Sequence, residues 1–182
     1  MLKGKILREI QLDIRKNFGK AVNWEGIPKR NFNCYMYAIS NTIPTEILDI
    51  EYCGDLYYKS LIDENVTYFG DIGNISGKNE FKNIPELIEA LKSDLDILGI
   101  KMSACSSKKL LIGRTQKIAF YYNLQQLYTG QHGSFHFVKQ DCFDGWSHKV
   151  GWIGDIKKIK VPIESIEFAG LDLIGYFQLR LK

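Results

Sequence analysis

The chain has 182 residues, of which 45% are hydrophobic and 25% charged, with a formal net charge of +3. Length and balance suit a single globular α+β domain over residues 1–182 with its own core, and they exclude wholesale disorder. A charge this close to neutral gives no sign of a nucleic-acid partner, and no apolar run reaches the roughly 20 residues of a bilayer-spanning helix.

In chain order, Ile6, Leu7, Ile10 and Ile14 recur at helical spacing with Lys and Arg between them. This predicts an amphipathic helix over roughly 4–17, closed by Phe18-Gly19. The same segment is basic but lacks the apolar stretch of a secretory signal, so the expected compartment is the cytoplasm. Gly19, Asn23, Gly26, Pro28 and Asn31 make residues 19–32 a loop. A second, short helix starts at Asn33-Cys34. Residues 42–83 mix Pro44, Gly54, Gly70, Gly73 and Gly77 with short apolar pieces. The tract from Asp71 to Glu80 reads as a surface loop, and residues 70–79 as a cover for a cleft. Asn83-Ile84-Pro85 opens the clearest helix, with the stripe Leu87, Ile88, Leu91, Leu95 and Leu98 and Gly99 just past its end.

After Gly99 the pattern turns to strands. Short aromatic and β-branched runs begin at Ile100, Lys117, Ser134, Trp146 and Tyr176. Asp144-Gly145 marks a hairpin turn between the third and fourth. Helices first and antiparallel strands after favour α+β over an alternating βαβ order.

Cys34, Cys53, Cys105 and Cys142 are far apart and form no C-x-x-C pair. They read as reduced, mostly buried thiols rather than a disulfide framework. Cys34 has a local distinction. With Asn33 as N-cap it occupies the first helical position, where backbone N–H groups and the helix dipole favour the thiolate. The plainer alternative is a cysteine packed under Tyr35 and Tyr37.

The three histidines are His132, His136 and His148. A tight turn centred near 143 sets 138 opposite 148 and puts His136 two residues away on the same face. His136 and His148 are then diagonal neighbours, as a base and its orienting partner need to be.

Asn33-Cys34 at a helix start, a strand His136, and His148 twelve positions later across a hairpin together resemble the papain-like cysteine hydrolases, in particular the NlpC-type peptidases and amidases. Asn33-Cys34-Tyr35-x-Tyr37-Ala38, Trp146-Ser147-His148-Lys149 and Gly175-Tyr176-Phe177 also resemble a small bacterial family of unassigned function. The resemblance implies a papain-like fold with N-terminal helices on an antiparallel sheet and an insertion or helical lobe over 42–98. It implies Cys34 as nucleophile, His136 as base and His148 as orienting residue. The Asp-Cys-Ser-Gly signature common among NlpC-type enzymes is replaced here by Asn33-Cys34-Tyr35-Met36. Pro28 stands where papain-type enzymes carry an oxyanion Gln, so the Cys34 N–H and the Asn31 side chain are the oxyanion donors to expect. Trp146 and Lys149 are the substrate-contact candidates, and Lys139 joins Lys149 as a cation flanking the site.

Two rivals use the same residues. His132, His136, Cys142 and His148 offer four zinc-type ligands, but no H-E-x-x-H or C-x-x-C accompanies them. No metal or cofactor is therefore expected. The other rival is a catalytically idle papain-like module that binds a protein or peptidoglycan partner, with Trp146 and Trp152 walling a groove. Lys108-Lys109 and Lys157-Lys158 read as solvated faces, and no carboxylate pair suggests a glycosidase. The expected substrate is a peptide, a protein or a small acyl compound, with no membrane partner.

Overall fold

The computed structural model describes residues 33–39, 71–109, 111, 113–131, 133–140, 145–150, 155–159 and 170–182, with 8, 11, 12, 14, 15 and 18. Three helices have defined bounds: α1 (Cys34–Ile39), α2 (Ile84–Ile97) and α3 (Leu124–Tyr128). The strands are β1 (Ile100–Cys105), β2 (Thr115–Tyr122), β3 (Phe135–Gln140), β4 (Trp146–Lys149), β5 (Ile156–Ile159) and β6 (Asp172–Leu181). They form one six-stranded sheet in the order β1-β6-β2-β3-β4-β5, and every neighbouring pair is antiparallel. The fold is α+β, with helices packed on an antiparallel sheet.

The helix boundaries follow from local chemistry. Residues 8, 11, 12, 14 and 15 are helical, and Ile14 and Phe18 are buried, as the apolar spacing predicts. In α1 the Asn33 carbonyl accepts the first intrahelical bond, from Tyr37 N–H at 3.0 Å, so Cys34 is indeed the first helical residue. In α2 the Asn83 side chain accepts from Glu86 N–H at 2.9 Å, and the Glu86 carboxylate reaches back to Lys82 N–H at 2.8 Å. The Asn83 bond satisfies an N–H that a helix start otherwise leaves open, and the Glu86 carboxylate holds the residue before the cap. Gly99 leaves the helix at φ +78°, a conformation that costs a glycine least.

The sheet has two clothed faces because β2 is buried along nearly its whole length. On one face Ile118, Phe120, Tyr122, Phe137, Phe177 and Leu179 join Cys34, Tyr35 and Ala38 of α1 and Leu87, Leu91 and Leu95 of α2. Each buried leucine there stabilises the fold by about 2 kcal/mol. Phe120 and Phe137, directly opposite in register, stack at 4.5 Å between centroids. The other face holds a smaller cluster of Ala119, Tyr121, Val138 and Trp146.

The expected insertion or helical lobe over 42–98 lies partly outside the described residues, and the described helix of that stretch, α2, shares the main core. The expected cover over 70–79 is corrected. Ile72, Gly73 and Ile75 are buried, and the Gly73 and Ser76 N–H groups donate to the Asp94 carboxylate of α2 at 2.6 and 2.8 Å. A turn fixed to a helix in this way is a piece of the core wall, not a lid.

Candidate active site

The β3–β4 register is the one the turn position predicts: Val138 faces His148, Lys139 faces Ser147 and Gln140 faces Trp146. Alternation then puts His136, Val138, His148 and Trp146 on one face, and Phe137, Lys139, Ser147 and Lys149 on the other. His136 Nε2 and His148 Nδ1 are 2.9 Å apart, with ring centroids at 4.9 Å and planes at 79°. Both rings are buried. Burial and the neighbouring His148 push His136 down to about 3. Burial and Lys157 lower His148 as well. At neutral pH the two rings are uncharged, so one nitrogen of the pair donates and the other accepts.

α1 packs on the opposite face. Tyr35 lies 5.2 Å from the Phe137 ring, Lys139 Nζ sits 4.1 Å over Tyr37, and the Tyr37 and Ser147 hydroxyls share a hydrogen bond. The sulfur of Cys34 sits at the edge of β3 between these two worlds. The β3–β4 ladder leaves out Phe135, His136 and Phe137. Along that stretch the Cys34 thiol donates to the Phe135 carbonyl at 3.9 Å, and Phe137 N–H also faces the sulfur. These two backbone groups bracket His136 in the chain. The thiol therefore rests against the backbone on either side of His136, while the imidazole leaves on the far face.

The expected activation of this thiol is corrected. Cys34 is 4% exposed, and burial pushes its thiol up to about 12. The N–H groups of Phe137, Tyr35 and Cys34 and the charge of Lys149 favour the thiolate, but they do not outweigh desolvation. A six-residue helix supplies too short a dipole to reverse that balance.

Other candidates have moved in meaning. Trp146 is not a groove wall: it is 7% exposed, next to Tyr176 at 6.1 Å and beneath Lys117 Nζ at 5.9 Å. Lys149 is 1% exposed on the face that α1 covers, so it is not an open substrate contact, and Lys139 is buried beside it. Asn31, His132, Cys53, Cys142 and Trp152 lie outside the described residues. Among the described residues no group of three or more His, Cys, Asp or Glu side chains is placed to hold a metal ion, and no helix is long and apolar enough to cross a membrane.

Sequence reasoning missed two features beside the thiol. Asp94 accepts from Tyr35 OH at 3.4 Å as well as from the 71–77 turn, and so ties the residue after Cys34 to α2. The signal was its position on the buried stripe, seven residues after Leu87. The other is the Tyr37–Ser147 bond that fastens α1 to β4, for which no spacing gives a signal. Comparison with protein-family models, curated proteins and solved structures finds no match to this chain.

Proposed function

We propose that the chain is a papain-like cysteine hydrolase or acyl transferase, with Cys34 as nucleophile, His136 as base and His148 as orienting residue. The imidazole pair carries this reading: two buried rings joined at 2.9 Å on adjacent strands, with a thiol seated beside the backbone of the first. With Nε2 turned to His148, Nδ1 of His136 is the atom assigned to the thiol proton. As the ring and the sulfur close over the β3 edge, Sγ attacks the carbonyl carbon of an amide, peptide or ester and its proton passes to Nδ1. That proton next goes to the leaving amine or alcohol. Water, giving its own proton to Nδ1, hydrolyses the thioester and restores the thiol; an acceptor amine in its place completes a transfer. The Cys34 N–H and the Asn31 side chain are the proposed oxyanion donors. No cofactor enters.

The test is turnover of p-nitrophenyl acetate, peptide amides and peptidoglycan fragments. Cys34→Ala and His136→Ala are expected to lose at least about 100-fold, and His148→Ala about tenfold. Unchanged turnover in Cys34→Ala would rule the mechanism out.

The buried, neutral thiol favours a second reading, an idle papain-like module that binds a protein or peptidoglycan partner. An electrophilic probe separates the two. Labelling of Cys34 no faster than of the half-buried Cys105 supports the idle module.

A further inference from the structure

We infer that the outer edge of β1 is a docking site for an extended, acidic peptide segment of a partner protein, which adds as a further strand and sets its carboxylates against Lys101 and Arg180. The site lies at the opposite end of the strand order from β4 and β5 and needs nothing from the chemistry of Cys34.

β1 ends the strand order and pairs on one side only, with β6. Among the described residues no backbone hydrogen bond reaches residues 101–105 from the outer side. Half of an edge strand's N–H and C=O groups point outward, where an added strand can take them. The charge stands beside that edge. Lys101 is directly opposite Arg180, and Arg180 is opposite Thr115 of β2. Facing residues point to the same side of a sheet, with Cβ atoms about 5 Å apart. Ile100 and Met102, the neighbours of Lys101, are buried in the main core, so Lys101 and Arg180 point to the face away from α2. Both are exposed, and among the described residues neither has an ion-pair partner. The next row on that face, Ser103, Gln178 and Lys117, holds no carboxylate either. Like charges facing each other destabilise a ladder, and a carboxylate shared between them reverses the sign.

The other end of β1 carries a second pair of cations. Lys108 and Lys109 are exposed on the turn that follows. That turn is held in place: Lys109 N–H donates to the Ser106 carbonyl at 3.2 Å, and the buried Lys117 Nζ donates to the Ser107 carbonyl at 2.8 Å. The six residues of β1, about 20 Å of strand, therefore run between two basic ends. A lysine on an edge strand also guards against unwanted pairing. That accounts for Lys101 but not for Arg180, which stands on the interior strand β6. A second copy of the chain is the wrong occupant, because antiparallel pairing of two β1 strands brings basic end to basic end. An acidic strand meets both ends with opposite charge.

The probe is a fluorescein-labelled Glu-Val-Glu-Val-Glu-Val-Glu peptide, followed by fluorescence anisotropy with the whole chain at low salt. Alternation aligns its Glu side chains on one face, that of Lys101. Wild-type protein is expected to bind it, and Lys101→Glu and Arg180→Glu each to weaken binding at least about tenfold. Each variant puts opposite charges in facing positions, so its thermal midpoint should equal or exceed that of wild type, which separates lost docking from lost folding. Lys158→Glu, exposed on β5 at the other end of the strand order, should stay within about twofold of wild type. Two versions of the peptide N-methylated at alternate residues, one in each frame, keep the charge; one of the two is expected to bind at least about tenfold more weakly, because it cannot complete the ladder. No binding at about 1 mM peptide overturns the inference. So does equal binding of the matching Lys-Val peptide, or parent-like binding of both N-methylated versions, which would make the face a general anion patch. A dimer of the protein that Lys101→Glu abolishes would assign the edge to a second copy and overturn it as well.

Discussion

Asp94 has no exposure, and its carboxylate would be costly if water were simply stripped away. Three donors offset the loss: Gly73 N–H at 2.6 Å, Ser76 N–H at 2.8 Å and Tyr35 OH at 3.4 Å. Burial still prevails enough to raise its pKa above the usual carboxylate range. Asp94→Asn keeps the shape but turns an amide NH₂ toward donors. That leaves at least one backbone N–H without a partner, at a cost of about 1–3 kcal/mol. Urea unfolding followed by Trp fluorescence should show the midpoint falling; an unchanged midpoint would mean that the turn bonds are replaced by water. Gly73→Ala should weaken the same joint. At φ +87° an added Cβ would stand 2.1 Å from the Lys78 carbonyl, which cannot move without breaking the turn.

At the level of elements, α2 and the β3–β4 hairpin were legible for different reasons. In α2, cap, stripe and terminal Gly agree with one another, and such agreement leaves few alternatives. Asn83→Ala should cost about 1 kcal/mol, and the same unfolding experiment reads it. A loss well below that would show that water takes over the N–H that Asn83 satisfies. In the hairpin, a turn near 143 fixes every facing pair by position alone, so the approach of His136 to His148 needed no knowledge of packing. The position of α1 was not legible in that way. A helix start at Asn33-Cys34 can be read locally, but the face on which the helix lands depends on aromatic contacts such as Tyr35 with Phe137. Sequence spacing therefore nominated Cys34, His136 and His148 as candidates and set the two rings together, without showing that a strand edge lies between the thiol and the rings. The same gap made Trp146 and Lys149 look like surface groups, since burial on a two-sided sheet depends on what covers each face.

For the molecule as a whole, ionisable groups are buried on both sides of the sheet, Lys139 and Lys149 on the side that α1 covers and His136 and His148 on the other. His136 and His148 are both lowered, so their effect on folding has a definite sign. The unfolded chain takes up protons on both rings as pH falls through about 6.5, while the folded chain keeps them neutral, His136 down to about 3. Between those limits the unfolded state binds more protons at His136, and stability falls with decreasing pH by up to about 1.4 kcal/mol per unit; the lowered His148 acts in the same direction. Two carboxylates enter lower in the range and act in opposite directions. Glu86 is lowered, so its contribution is lost as pH falls through the carboxylate range; Asp94 is raised, so its protonation in the folded state offsets part of that loss. The interval from pH 7 to about 5 therefore belongs mainly to the imidazoles. Urea midpoints measured at half-unit steps should decline across it in the wild-type protein. In a His136→Gln, His148→Gln double variant, which cannot take up those protons in either state, the decline should be largely flattened. A double variant that declines as steeply as wild type would show that the rings are protonated as readily in the folded chain as in the unfolded one, and the neutral imidazole pair on which the proposed chemistry relies would be lost with it.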